Sequence, residues 1–210
     1  MPSRTTLFVA AALVVAGAVC WRFPLFRIVP LKQAEAAKTA GAFDAAKVAA
    51  EFWNAKLLPA ADRAVELKEL LAALAQHPTT ARKQHGRTLG IGGATMFLVR
   101  GSGKITSVSE DSLVLSLHDS GTPVTLNLGL LFGNTVRDAS GLLDVSAFPD
   151  SQQFNALSTE LNTIVETKVA PALKQAAAAG KSIRFAGCFE LEDDAKADAL
   201  TVIPLKVEWP

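Results

Sequence analysis

The sequence predicts an α+β chain in three parts: an N-terminal membrane helix, a short two-helix unit, and a five-stranded antiparallel β-barrel with a long helix between its third and fourth strands. Three patterns predict it. Residues 7–19 are uncharged and mostly apolar, apolar residues recur at helical spacing over 44–76 and 150–173, and short alternating segments separated by turn residues follow residue 93. The predicted boundaries are 1–27, 28–88 and 89–210.

The first 27 residues have the layout of an export signal. Arg4 precedes thirteen uncharged residues, Leu7–Val19, which include the small residues Ala16–Ala18. A basic start, an apolar stretch of about 7–15 residues and a small-residue cluster are typical of such signals. Three outcomes fit this layout: cleavage near the small residues, lipidation at Cys20, or retention as an uncleaved membrane helix.

The residues around Cys20 favour retention. Gly17 and Val19 stand where bacterial lipoprotein signals place a branched apolar residue and a small one, so lipidation is the weaker alternative. A spanning helix needs about 20 residues, which is reached if Trp21 lies at the membrane interface and Arg22 extends its charge to the surface. We therefore expect a periplasmic protein attached to the inner membrane by an uncleaved helix. The basic residues that follow oppose this orientation, because positive charge prefers the cytoplasmic side.

The charge balance argues against a polyanionic partner. The net charge is +1, and it falls to −2 without residues 1–27, which hold three of the 21 basic residues and none of the 20 acidic ones. Tyrosine is absent, and no basic cluster is interleaved with aromatic rings that single-stranded nucleic acid needs for stacking. Nucleic acid binding is therefore not expected, and the membrane is the first expected partner.

Two helices are predicted between the leader and the barrel. Asp44 is a suitable N-cap for the first helix, which Pro59 ends or restarts. The second helix is predicted over residues 60–76, where five apolar residues form one face. The polar segment His77–Gly86 predicts a loop.

Five strands are predicted in the barrel. The first is long and bent, over residues 94–109, and Gly101 and Gly103 allow it to curl. Residues 112–117 and 122–128 form the second and third strands, and residues 182–191 and 200–207 form the fourth and fifth. Pro204 predicts a bulge or an edge position in the last strand.

One long helix separates the third strand from the fourth. Asp150 is its predicted N-cap, Pro171 should kink or restart it, and Gly180 should be its C-cap. A shorter turn or helix is predicted around Val136–Ala139. This order of strands and helix is that of an OB-type barrel, a five-stranded Greek-key closure.

Three stretches carry a family likeness: Arg27–Leu31 (RIVPL), Phe52–Pro59 (FWNAKLLP) and, most specifically, Leu128–Ala139 (LGLLFGNTVRDA). They resemble an uncharacterised family of predicted periplasmic lipoproteins, the domain of unknown function 2291. The resemblance implies a membrane-attached periplasmic protein with an OB-like barrel and an accessory role beside sugar uptake transporters. It carries over no established activity. Lipoproteins of that family have their cysteine just before the Ile-Val-Pro stretch, whereas Arg27 stands there in this chain.

The sharpest candidate for a binding site lies in the third of these stretches. Arg137 can hold a carboxylate or a pair of sugar hydroxyls through its planar fork, beside Asp138. Asn134 and Thr135 can add hydrogen bonds to a ligand. The alternative is structural: Arg137 would bind loop carbonyls, Asp138 would cap the turn, and the other two would close the loop.

The remaining candidates predict neither catalysis nor metal binding. His77, His85 and His118 lie apart, without metal-ligand spacing, and are expected to be exposed. Cys188 lies in an apolar stretch and is expected to be a buried structural thiol. The glycine patterns at 90–93 and 101–104 lack the strand–loop–helix context of phosphate sites. No cofactor is expected.

The leader and the family resemblance together predict a non-enzymatic accessory or interaction module, and the resemblance implies its link to sugar uptake. Its barrel or its Arg137 segment would contact a transporter component or a small polar ligand. The alternative is an OB-type ligand-binding domain for oligosaccharide or nucleic acid. A hydrolase is disfavoured, because the three histidines are too dispersed to pair with a nucleophile.

Overall fold

A computed structural model describes residues 43–88, 93–118, 120–192 and 200–210. Residues Asp44–Pro210 form one compact unit, in which helices from the 28–88 stretch contact the barrel strands. The predicted anchor over residues 1–27, with Cys20, lies outside the described residues. Residues 193–199, before the last strand, also lie outside them. Within the described ranges, no helix has the length and apolar character to cross a bilayer. The boundaries 1–27, 28–88 and 89–210 stay a prediction.

Strands and helices alternate in a pattern close to the predicted one. The strands are β1 (Val65–Glu66), β2 (Gly86–Thr88), β3 (Thr95–Val108), β4 (Ser112–Leu117), β5 (Pro123–Asn127), β6 (Ser182–Leu191) and β7 (Leu200–Glu208). The helices are α1 (Ala45–Phe52), α2 (Leu58–Ala61), α3 (Leu67–Gln76), α4 (Pro78–His85), α5 (Thr135–Asp138), α6 (Ser151–Ile164) and α7 (Ala170–Ala176). The five predicted strands are confirmed as β3 to β7.

Those five strands close into a barrel. They follow the order β3-β4-β5-β7-β6, and β6 pairs back onto β3 from Thr95 opposite Leu191 to Lys104 opposite Ser182. One ladder corrects the predicted antiparallel barrel: β5 and β7 run parallel, with Val124 opposite Leu200. A parallel pair needs a crossover connection, which the long helix and β6 supply between these two strands.

The long bent strand predicted from the glycines is confirmed as β3. Its first part pairs with β6 and its last part with β4, and Gly103 pairs on both sides, with Ile183 and Leu117. A Cβ atom at Gly103 would lie 2.7 Å from the carbonyl oxygen of Ser116. Glycine therefore allows the close backbone approach at which β3 passes from one half of the barrel to the other.

A π-helical turn interrupts each of the two long helices and ends two residues before a proline. A π-helical turn at Trp53–Leu57 joins α1 to α2, and another at Val165–Val169 joins α6 to α7. Pro59 and Pro171 are the second residues of the restarted helices. Proline lacks an N–H and its ring crowds the carbonyl one turn earlier, so a wider turn accommodates it. The predicted restarts are confirmed.

Helix caps agree with the sequence at the N-termini. The Asp44 carboxylate accepts a hydrogen bond from the Lys47 N–H at 3.0 Å, and the Asp150 carboxylate accepts one from the Gln153 N–H at 2.8 Å. The C-cap prediction was wrong, because α7 ends at Ala176 and Gly180 lies in the following turn with a φ of +89°.

Two predictions about residues 60–86 were wrong. The second helix begins at Leu67 rather than residue 60, because Val65 and Glu66 pair in parallel with β3. The segment predicted as a loop contains α4, which begins at Pro78. The Arg82 guanidinium donates to the Leu191 carbonyl at 3.0 Å, so a tertiary contact holds this polar helix on the barrel.

The core has two layers. The barrel interior is filled by inward residues of all five strands and closed by α3, and Phe97 stacks on Phe189 with ring centroids 5.0 Å apart. The second layer lies between the outer faces of β3, β6 and β7 and helices α1 and α6; it includes Met96, Cys188, Leu205, Phe52, Trp53, Leu157 and Leu161.

Cys188 is fully buried and the three histidines are exposed, as predicted. The predicted bulge at Pro204 is confirmed by a register shift opposite Gly187.

Candidate functional site

The four predicted site residues lie in and before α5, within the loop that joins β5 to α6. Arg137 and Asp138 are 3% and 7% exposed, and Thr135 is also buried. Asn134 is exposed and is the residue before the helix. We call residues 128–150 the β5–α6 loop.

Arg137 directs its donors into the protein. Nε and Nη2 donate to the two carboxylate oxygens of Asp138 at 2.7 and 2.8 Å. Nη1 donates to the Phe154 carbonyl at 3.1 Å and to Asn155 Oδ1 at 3.4 Å. The guanidinium carbon also lies 3.7 Å from the centre of the Phe154 ring, a cation–π contact. Arg137 therefore fastens the β5–α6 loop to the N-terminal part of α6.

The neighbouring residues fasten the same loop elsewhere. Thr135 Oγ1 donates to Glu190 Oε2 on β6 at 2.9 Å, and Ser158 Oγ on α6 donates to Asn134 Oδ1 at 3.2 Å. Asn162 Nδ2 donates to the Gly133 carbonyl at 3.2 Å. Every buried side-chain nitrogen or oxygen in the described part of the chain has a hydrogen-bond partner.

These contacts support the structural alternative for Arg137 and Asp138. Their polar atoms are engaged with each other and with α6. Direct ligand binding by Arg137, Asp138, Asn134 and Thr135 stays a prediction.

Near its start, the β5–α6 loop exposes two large apolar side chains that the sequence analysis did not single out as a site. Leu130 and Phe132 are 73% and 83% exposed, whereas Leu131 between them is buried. We call residues 129–133 the tip. The Leu131 N–H donates to Oε1 of Glu166, a residue of the second π-helical turn, at 2.6 Å. The available signal was a run of three large apolar residues between two glycines in a predicted loop, where exposed runs of this kind usually have a function.

The exposed ionisable residues within the β5–α6 loop itself are acidic. Between residues 105 and 167 the only lysine or arginine is Arg137, which is buried against Asp138. Asp144 and Asp150 are exposed on the same loop. Hydrogen bonds from Ser146 lower the pKa of the Asp144 carboxyl below its usual value, so this group is ionised at neutral pH. The loop thus combines exposed apolar side chains with exposed negative charge.

Cys188 is not available as a nucleophile in the folded protein. Burial raises the pKa of the Cys188 thiol far above its ordinary value, so it does not form the thiolate that a nucleophile requires. Among the residues with described positions, no group of His, Cys, Asp and Glu is arranged to hold a metal ion.

Comparison with known proteins places this geometry in a family. A solved structure of an OB-fold protein from Thermotoga maritima is similar: it is 26% identical, the match covers 80% of this chain and 99% of that one, and the TM-score is 0.71. Residues 9–208 match the family described as "Predicted periplasmic lipoprotein (DUF2291)". The chain belongs to the DUF2291 family. No curated protein matches it significantly.

Membership in DUF2291 sets the location and the fold class. The protein is a periplasmic, membrane-associated protein, and its domain is a five-stranded closed OB-type barrel with helices. Because the family is described as one of lipoproteins, Cys20 keeps its place as an alternative attachment point. The resemblance stated from the sequence is confirmed.

Proposed function

We propose that this DUF2291 protein is a non-enzymatic interaction module at the periplasmic face of the inner membrane, and that Leu130 and Phe132 contact a partner protein. One observation carries the proposal: two large apolar side chains stand 73% and 83% exposed on a loop that a buried polar network fastens to the fold. Large apolar side chains exposed together mark interaction sites more often than isolated ones do.

The network beneath the tip supports this role by preorganising it. Glu166, Asn162 and Arg137 each bind a different point of the β5–α6 loop. Ordering a mobile loop on binding costs free energy, and a loop that is already ordered avoids that cost. The proposed role of Arg137 is therefore to position the tip rather than to touch the ligand.

The charge pattern favours a protein partner over a lipid surface. Bilayers that contain anionic lipids attract basic segments, and the exposed charges of this loop are Asp144 and Asp150. The complementary partner has an apolar pocket for Phe132 and a basic rim. A component of a membrane transporter is the partner class that the family resemblance implies, and sugar uptake is the implied process.

For attachment, we propose that residues 7–27 are retained as an uncleaved membrane helix. The support is the length of the apolar stretch with Trp21 and Arg22, and the mismatch of Gly17 and Val19 with a lipidation signal. Mass spectrometry of the protein from the membrane fraction tests it. We expect the mass of the intact chain, whereas a chain that begins at an acylated Cys20, or one cleaved near Ala18, would contradict it.

The alternative, an OB-type surface for oligosaccharide or nucleic acid, has less support. OB domains bind such ligands on the face of their second and third strands, with rings that stack on bases or sugars. The outward side chains of the corresponding strands here are Ser112, Val114, Ser116, Pro123, Thr125 and Asn127. That face presents hydroxyl, amide and methyl groups instead of aromatic rings.

Copurification from detergent-solubilised membranes tests the partner proposal. We expect Phe132→Ser to lose a specific membrane protein that the unmodified protein retains, and Trp209→Ser to keep it. Trp209 is a matched control, because it is an exposed aromatic residue outside the β5–α6 loop. If both variants retain the same proteins as the unmodified chain, Phe132 is not a contact and the proposal fails.

A further inference from the structure

A concave site lies on the barrel at the end of α2 and beside β1. It is a cleft of about 190 Å³ whose floor includes Gly101, Ser102 and Ala186. Six ionisable side chains line it, three of each sign: Asp62, Glu66, Glu208, Arg100, Arg184 and Lys206. The cleft is separate from the β5–α6 loop and from the outward face of β4 and β5.

Two of the three cations are already paired within the cleft. Arg100 Nε lies 3.2 Å from Glu66 Oε1. Lys206 Nζ lies 2.8 Å from Asp62 Oδ1 and 3.0 Å from Glu208 Oε1. The hydrogen bonds to Asp62 and Glu208 raise the pKa of Lys206, which keeps it charged. One ammonium group therefore serves two carboxylates, and these contacts use one oxygen of each.

Arg184 completes the set as an unpaired cation. It is exposed, and its side chain makes no hydrogen bond or ion pair with another residue whose position is described. It is the cross-strand neighbour of Glu208 on β7 and of Ser102 on β3. The cleft thus contains the unpaired guanidinium of Arg184 and two carboxylates, Asp62 and Glu208, that share the single ammonium group of Lys206.

We infer that this cleft binds a small zwitterion of the α-amino acid class, with its carboxylate on the Arg184 fork and its ammonium on Asp62 and Glu208. A guanidinium matches a carboxylate with two parallel hydrogen bonds. Arg184 and Glu208 are directly opposed on neighbouring strands, where Cβ atoms lie about 5 Å apart, so a ligand with its two charges close together, as in an α-amino acid, suits the cleft. A zwitterion has no net charge, so its binding leaves the net charge of the cleft, with its three positive and three negative side chains, unchanged.

Calorimetric titration of the full-length protein in detergent tests this inference. The probes are L-leucine, 4-methylpentanoate, which lacks the ammonium group, and isoamylamine, which lacks the carboxylate; a panel of other small L-amino acids is titrated in parallel. We expect saturable 1:1 binding of at least one amino acid and weaker binding of the two single-charge probes. Absence of binding across the panel, or equal binding of a single-charge probe, overturns the inference.

Two variants assign the charges. Arg184→Gln should weaken amino acid binding about tenfold or more, because it removes a charged hydrogen-bond pair from the ligand carboxylate. Arg63→Gln removes the same charge from an exposed neighbour that does not line the cleft, and should leave the affinity unchanged. Equal loss in both variants would show a long-range charge effect and would contradict a site at Arg184. An unchanged unfolding midpoint checks that each variant is folded.

Discussion

Arg137 and Asp138 form an ion pair between adjacent buried residues. Taking both charges out of water is costly, and the pair is stable only because further contacts complete it: the Phe154 carbonyl, Asn155 and the Phe154 ring. Removing one member leaves the other as a buried, uncompensated charge. The effect of a substitution here is therefore expected on folding first.

We predict that Arg137→Ala lowers the free energy of unfolding by about 3–5 kcal/mol, the usual cost of breaking a buried ion pair. Replacing both members, as Arg137→Met with Asp138→Leu, should recover part of that loss, because no unpaired charge remains. Urea unfolding followed by circular dichroism measures both. An Arg137→Ala protein that is as stable as the unmodified one but has lost its partner would show that Arg137 binds the partner directly.

Cys188 gives a prediction with a pH dependence. Burial raises the pKa of its thiol, so the reactive thiolate stays scarce at pH values where a free cysteine is largely ionised. In a Cys20→Ser variant we expect no labelling of the native protein by a thiol reagent between about pH 7 and pH 9, and full labelling in urea. Native labelling that increases with pH as a free cysteine does would contradict the buried position.

At the scale of the elements, β3 depends on the glycine at position 103. Gly103 lies where the strand pairs with β6 and β4 at once, and a Cβ atom there meets the Ser116 carbonyl. We predict that Gly103→Ala destabilises the protein by about 1–3 kcal/mol, the usual cost of overpacking. Ser107→Ala, at an exposed position of the same strand, should change stability by less than about 0.5 kcal/mol. Similar unfolding free energies for both variants would contradict the close approach.

The elements predicted well are those whose signals are local. Alternating apolar residues define β4 and β5, and Asp44 and Asp150 begin helices because their carboxylates bind N–H groups a few residues later. The errors lie where distant partners decide the structure. β1 exists because Val65 pairs with Val99, and α4 is held by Arg82 on the end of β6. Neither partner can be recognised from local sequence.

The candidate site divides in the same way. The sequence locates the segment, since Arg137 and Asp138 are adjacent opposite charges in the stretch GNTVRDASG, within a predicted loop. It cannot tell which way the guanidinium points, because Phe154 and Asn155 approach it only when α6 packs on the loop. The exposure of Leu130 and Phe132 follows from the burial of Leu131, which depends on Glu166 thirty-five residues later.

At the scale of the whole molecule, we propose that the OB-type barrel supports one exposed loop. The polar network holds the β5–α6 loop on the helices that pack outside the barrel, and family membership places this support in the periplasm at the membrane. We therefore propose that the tip contacts the partner protein and that the buried pair of Arg137 and Asp138 stabilises the fold beneath it.

Photo-cross-linking in living cells tests that assignment most directly. Benzoylphenylalanine replaces Phe132 in one strain and Trp209 in a control strain, and the adducts from the membrane fraction are identified by mass spectrometry. We predict a discrete protein adduct from position 132 that is absent from position 209 and is reduced by Leu130→Ser. Lipid adducts alone, no adduct, or the same adducts from both positions would contradict it.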